Sequence, residues 1–291
     1  MKGLPDNFRT ITVIGAGTMG HGIAHVSALA GFETRLFDVD EAGLGRGMGQ
    51  VQANLKKGVA RGKVTEQAAQ AALSRLRGSS DMAAACDGAS LVIEAVPERL
   101  DLKRSVFADA ATHAPKTAVF GTNTSSLSIA DIGREMPHPE NVIGLHFFNP
   151  VHIMKLLEII VSDQTSEETY SLAEAFGAAI GKQTIKVKDV PGFATSRLGL
   201  VIGLEAIRMV EQGVASAEDI DRAMTLGYGF PMGPLRLTDL VGLDVRLHIA
   251  EYLSKHLPDG GHFVPPALLR AMVAEGKLGK KSGQGFYRWE S

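Results

Sequence analysis

The sequence reads as a mostly parallel α/β sheet domain with a helical-hairpin insertion, followed by an all-α domain. Over residues 1–190, short β-rich runs alternate with helical patterns, the order that wraps helices around a parallel sheet. After Asp189-Val190-Pro191-Gly192 only helical patterns remain, apart from a short Gly-Phe-Tyr-Arg-Trp segment near the end. The length, 291 residues, suits two domains of roughly 150 residues each. The expected domains are therefore 1–190 and 191–291.

Strands are expected at Thr10–Ile14, Glu33–Phe37, Leu91–Glu94, Ala118–Phe120, Asn141–His146, Leu156–Val161 and Gln183–Val187. These are short β-rich runs separated by helical or turn-forming stretches. Helices are expected near Met19–Ala30, Arg99–His113 and Glu167–Ile180. Residues 42–74 form the insertion, helical and without a strand. It opens on Gly43, Gly45, Gly47 and Gly49, each costing about 1 kcal/mol relative to Ala in a helix. An irregular, mobile first turn or two is the expectation there. In the second domain, helices are expected near Phe193–Gln212, Ala217–Leu226, Pro234–Leu253 and Pro265–Glu275.

Composition excludes several classes. Thirty basic residues against 32 acidic give a net charge of −2, so no global field draws nucleic acid or anionic lipid. Cys86 is the single cysteine, which excludes a disulfide framework and any paired-cysteine metal site and suits a reducing compartment. The N-terminus lacks the apolar run of a signal peptide, and no stretch of eighteen apolar residues occurs. A cytoplasmic location without membrane attachment is expected. Glycine is in excess, at 33 residues against an ordinary usage of about 7%.

Part of that excess carries chemistry. Gly15, Gly17 and Gly20 fall in a GxGxxG spacing at the exit of the first strand. Gly15 permits the tight turn, Gly17 the approach of a pyrophosphate, and Gly20 the packing of helix on strand. Asp38 ends the second strand about twenty residues on, where a carboxylate bonds a ribose hydroxyl and repels a 2′-phosphate. NAD rather than NADP is the expected cofactor; Asp40 is the competing acid, beyond the strand end. Asn123 and Ser125, in TNTSSL, sit where an open parallel sheet binds ligands, although a polar capping turn also explains them. Glu158, in KLLEIIV, has apolar neighbours on both sides and is expected to be buried, needing a partner. His146, in GLHFFNP, is the best candidate, and the pair would serve as an oriented general base or acid. His21 and His25 have helical spacing but no base between them, so a solvated helix face is expected and no metal site. From Ala42 to Thr65 the insertion carries Arg46, Lys56, Lys57, Arg61 and Lys63 and no acid. It is either a solvated basic face or a seat for a second polyanion such as coenzyme A.

In chain order, GAGTMG, VPERLDLK, TNTSSL, GLHFFNP, KLLEII, DVPGF, MGPLRLTDLVGLD and GKKSGQGFY resemble the L-3-hydroxyacyl-CoA dehydrogenase family, most of all its short bacterial 3-hydroxybutyryl-CoA branch. The resemblance implies a Rossmann-like NAD domain and a helical domain that contributes to the substrate site and dimerises. It puts the catalytic histidine on His146, its carboxylate on Glu158, and the substrate-binding serine on Ser125. It assigns NAD contacts to Asp38, Glu98, Lys103, Asn149 and Lys281, and coenzyme A contacts to Asn54 and Arg61 with Lys57 close by. One position departs: PGFATSR has Ser196 where the family pattern has Asn, which bears on how substrate is held. Two other readings remain: a related dehydrogenase of a free hydroxy acid or hydroxy ammonium compound, and a non-catalytic NAD- or acyl-CoA-binding protein.

Overall fold

Parallel strands buried on both faces are mostly apolar, and this requirement fixes the centre of the first unit. In the computed structural model, which describes residues 3–290, the strands form one eight-stranded sheet in the order β3-β2-β1-β4-β5-β6-β7-β8. In chain order the elements are β1 (Thr10–Ile14), α1 (Thr18–Leu29), β2 (Glu33–Phe37), α2 (Glu41–Ala60), α3 (Glu66–Arg75) and β3 (Leu76–Ser79). Then come α4 (Met82–Cys86), β4 (Leu91–Glu94), α5 (Leu100–His113), β5 (Val119–Thr122), α6 (Ile129–Gly133) and β6 (Val142–Phe147). The unit closes with β7 (Leu156–Val161), α7 (Glu167–Ala179) and β8 (Gln183–Lys188). Every neighbouring pair is parallel except β6 and β7, which run antiparallel. That exception sets His146 directly opposite Glu158. The core joins β1, β2, β4, β6 and β7 to α1 and α7 through Ile11, Ile23, Phe32, Leu145, Leu157 and Phe176.

Three expectations for this unit are corrected. The insertion is followed at once by β3, an edge strand whose residues LRGS include two exposed ones and no apolar run to announce it. The glycine-rich start of α2 is regular helix from Glu41, capped by Asp40, which accepts from the N–H of Ala42 and Gly43 at 3.0 and 2.9 Å. Gly47 is there for proximity, since a Cβ would stand 2.6 Å from the carbonyl oxygen of Ala16. Tertiary contact thus outweighs the weak helix propensity. His25 is not solvated: it is 3% exposed and stacks on His152 with ring centroids 5.2 Å apart. Burial, and then the charges of His152, His21 and Lys182, pull its pKa down to about 4, so the ring is neutral near pH 7.

The second unit begins at Pro191. It comprises α8 (Thr195–Glu211), α9 (Ala217–Arg222), α10 (Pro234–Val241), α11 (Leu243–His256) and α12 (Ala267–Ala274). The single helix expected over Pro234–Leu253 is split at Gly242, whose φ of 104° ends one helix and begins the next. The helix expected over Ala217–Leu226 becomes α9 followed by a π-helical turn to Gly227. The terminal segment is tied down by Asp239, fully buried, which accepts from Phe286 N, Tyr287 N and Trp289 Nε1 at 2.9 Å each. No helix among the described residues is long and apolar enough to cross a membrane.

Candidate active site

The glycine loop has the shape that its spacing requires. Gly15 lies at φ 99°, and a Cβ on Gly20 would fall 1.6 Å from the Gly15 carbonyl oxygen, so the turn and the helix behind it tolerate no side chain. Nothing stands within 4 Å of where a Gly17 Cβ would be, which leaves the N-terminus of α1 open. That terminus has no side-chain cap and no acid in its first turn, the arrangement that attracts a phosphate. Asp38 accepts from the N–H of Ala16 at 2.8 Å and of Asp40 at 3.0 Å, which fixes its carboxylate beside the loop. A cavity of 350 Å³ opens here on Gly17, Thr18, His21, Asp38, Arg46 and Gln50. These residues fit the phosphate and ribose of a dinucleotide. Asp40, the competing acid, is engaged as the cap of α2 and in an exposed ion pair with Arg46.

Two strand ends carry the reactive groups. Antiparallel register brings His146 Nδ1 to 2.6 Å from Glu158 Oε2, with the carboxylate fully buried and the imidazole 8% exposed. An ionised Glu158 can only accept, so the proton belongs on Nδ1 and the lone pair on Nε2. Asn123, just past β5, accepts from the N–H of Phe147 at 3.0 Å and so ties the TNTSSL loop to the end of β6. Glu98 organises that loop: its Oε1 accepts from Thr124 Oγ1 at 2.5 Å, Ser125 N at 2.9 Å and Ser126 N at 3.2 Å. Burial pushes the Glu98 carboxyl up, but Lys103 and these donors outweigh it and hold the pKa below the usual range.

Lys103, expected among the NAD contacts, is held inside the domain. Its ammonium is 1% exposed and lies 2.7 Å from Glu94 and 3.2 Å from Glu98. The charge is shared by two carboxylates, and the pairing orients Glu98. Glu94 itself escaped the sequence reading. It is fully buried, accepting also from Val96 N and Thr122 Oγ1 at 2.7 Å each, and burial raises its pKa. The argument applied to Glu158, an acid on an apolar strand, would have found it in LVIE.

A second cavity, of 580 Å³, opens between the hairpin and the far ends of β7 and β8. Asn54, Lys57 and Arg61 line it, and so do Lys63, Lys155 and Lys182, which makes it strongly basic. Lys155 and Lys182 come from segments a hundred residues downstream, and no local pattern joins them to the hairpin. A wider cavity of 680 Å³ between α2 and α3 is lined largely by Leu55, Val59, Ala69 and Leu73 and holds no comparable chemistry. Asn149 is exposed just after β6, cis to Pro150. Ser196 and Lys281 belong to the helical unit, where Lys281 pairs with Asp244 at 2.6 Å.

Known proteins are similar to this chain. Residues 10–190 match the family described as 3-hydroxyacyl-CoA dehydrogenase, NAD binding domain, and residues 192–289 match its C-terminal domain. The 3-hydroxybutyryl-CoA dehydrogenase of Mycobacterium tuberculosis is 42% identical over 98% of this chain and 100% of its own. The 3-hydroxyadipyl-CoA dehydrogenase of Escherichia coli is 40% identical over 98% of this chain and 60% of its own. The crystal structure of (S)-3-hydroxybutyryl-CoA dehydrogenase from Ralstonia eutropha superposes with a TM-score of 0.94, at 37% identity, covering 98% of this chain and 100% of that one. The chain belongs to the 3-hydroxyacyl-CoA dehydrogenase family.

Proposed function

We propose that the chain catalyses the reversible NAD-dependent oxidation of a short (3S)-3-hydroxyacyl-CoA to the 3-oxoacyl-CoA. The observation that carries this reading is the His146–Glu158 pair, 2.6 Å apart on strands next to the Ser125 loop. NAD, when bound, supplies the acceptor for the hydride that leaves C3. His146 Nε2 takes the proton of the 3-hydroxyl as that hydride departs. Glu158 fixes the ring tautomer and balances the imidazolium that results. Ser125 hydrogen-bonds the reacting oxygen, and Glu98 holds the loop that presents it. Asn149 and Lys281 add contacts to the cofactor, and Ser196 contacts the substrate. The helical unit also supports a homodimer through exposed apolar residues such as Leu226 and Tyr228, and the single buried cysteine suits the cytoplasm.

A free hydroxy acid is the competing substrate, and the basic cavity speaks against it, because such a substrate has no polyanionic tail for Asn54, Lys57 and Arg61. The test is NADH consumption with acetoacetyl-CoA against free acetoacetate. Turnover of the thioester alone supports the reading, and turnover of the free acid alone overturns it. Replacing both Lys57 and Arg61 by Ala should raise KM for acetoacetyl-CoA roughly tenfold at low ionic strength and less at high salt. An unchanged KM would remove the hairpin from the substrate site.

Cofactor choice is checked at Asp38. Asp38→Ala removes the ribose acceptor and the repulsion of a 2′-phosphate, while Arg46 stays in the same cavity as a phosphate partner. The expected result is a KM for NAD raised about tenfold, the worth of one hydrogen bond to a charged group, and a smaller preference over NADP. A variant that discriminates as well as the wild type would point to another determinant.

A further inference from the structure

His25 and His152 form a stacked pair among cations. α1 turns His25 inward, and its Nδ1 is sealed from solvent without a partner. One turn earlier His21 sets its Nδ1 2.8 Å from the carbonyl oxygen of Gly17, a bond that His25 does not repeat. The His25 ring lies instead against His152, on the loop between β6 and β7, with the two planes 22° apart. Lys182 ties that loop down by donating from Nζ to the carbonyl oxygens of Val151 and Met154. Gly22 lets the loop approach α1, since a Cβ there would stand 2.9 Å from Val151. Helix and loop thus each bring one imidazole to a contact that the fold holds in place.

Both rings line the basic cavity of 580 Å³, which lies wholly in the first unit. The charges around the pair are of one sign. α1 supplies His21, α2 Lys57, and the turn after it Arg61 and Lys63. The β6–β7 loop supplies Lys155, and the turn before β8 Lys182. Among the described residues no Asp or Glu lines the cavity. Burial, then the charges of His21 and Lys182, lower the pKa of His152, and the same causes together with His152 act on His25. Surrounded in this way, the pair is neutral near pH 7.

A polyanion reverses that balance. Opposite charges within about 4–6 Å favour the imidazolium by about 1–3 units, and they also offset the surrounding lysines. Two stacked rings repel each other once both are charged, so a single proton belongs to the pair. We propose that the His25–His152 pair is part of the seat for the phosphates of the acyl-CoA and takes up one proton from solvent when they bind, returning it on release. The assignment rests on the acyl-CoA reading above. It adds to Lys57 and Arg61 a group whose charge appears only with the ligand, so the unliganded domain carries no further buried cation. Because the complex holds more protons than the free protein, affinity falls as pH rises. The fall runs from the free value, about 4 for His25, to the value in the complex. A shift of two to three units puts that second value at about 6–7.

Calorimetry counts the proton. Coenzyme A carries the phosphates without the reacting 3-oxo group; it is titrated into the NAD-saturated enzyme at pH 6 and pH 8, in buffers of different ionisation enthalpy. Its own phosphate monoester titrates near pH 6 but does so with every variant, so the difference between variants is read. At pH 6 the wild type should take up about half a proton or more beyond His25→Gln/His152→Gln, and the gap should close by pH 8. Between these pH values its affinity should fall about two- to tenfold more than that of the double variant. His152→Gln alone changes an exposed loop side chain, so it tests the pair without disturbing the packing of α1, and it should lower the uptake as well. Equal uptake by the wild type and His152→Gln, or uptake retained in the double variant, overturns the assignment and leaves a packing contact. Failure of the wild type to bind coenzyme A at either pH would instead overturn the acyl-CoA reading beneath it.

Discussion

His146→Gln should lower kcat/KM for acetoacetyl-CoA by about 10²–10⁴, the usual share of general acid–base catalysis, while NADH still binds. Glutamine keeps a polar side chain of similar reach at the end of β6 but has no lone pair of comparable basicity. Substrate and cofactor contacts lie on other residues, so the loss should appear mainly in kcat. Glu158→Gln acts through the imidazole. The Nδ1–Oε2 contact is 2.6 Å, and an amide there can turn its NH₂ toward Nδ1 and place the ring proton on Nε2. Amide substitution of a comparable carboxylate in a Ser-His-Asp triad costs as much as about 10⁴. It also removes the counter-charge that stabilises the imidazolium formed during the reaction. Stopped-flow NADH oxidation and fluorescence titration of NADH separate the two variants from a folding defect. A His146→Gln enzyme retaining a tenth or more of wild-type activity would place the base elsewhere.

Legibility in the sequence followed from whether local pattern and tertiary demand agreed. Gly15, Gly17 and Gly20 were readable because strand, turn and helix succeed one another there. Glu158 was readable because apolar residues flank it on both sides, and Glu94, in LVIEAV, carries the same mark. β3 was invisible because an edge strand needs no apolar run. The glycines of α2 misled because propensity is local, whereas the contact between Gly47 and Ala16 joins residues thirty apart. Gly242 lies inside a continuous helical pattern, and only its positive φ divides it. Lys155 and Lys182 were out of reach for one reason: charged residues at ordinary surface spacings carry no mark of the cavity that the fold gives them.

Lys103→Met should be the most damaging single change to stability in the sheet domain. It leaves the fully buried Glu94 carboxylate with only the Val96 N–H and the Thr122 hydroxyl. Breaking a buried ion pair from one side costs about 3–5 kcal/mol, because the remaining charge stays desolvated. The pH dependence follows from the direction of the Glu94 shift. Burial already holds its folded pKa above the unfolded value, and loss of Lys103 raises it further. An acid raised on folding binds more protons in the folded state, so stability falls as pH rises from the unfolded value, about 4.3, to the folded one. Urea unfolding should therefore show a deficit that is large at neutral pH and shrinks as the solution is acidified. Adding Glu94→Gln to Lys103→Met removes the stranded charge and should recover a good part of the loss. A deficit under about 1 kcal/mol, or one that does not change with pH, would mean that water reaches Glu94 and that the pair is not the anchor of the loop. Activity provides an independent check, since Glu98 loses the cation that holds it and Thr124, Ser125 and Ser126 all hang on its carboxylate. The surviving enzyme should turn over more slowly even where it is fully folded, and the double variant should regain stability without regaining that rate.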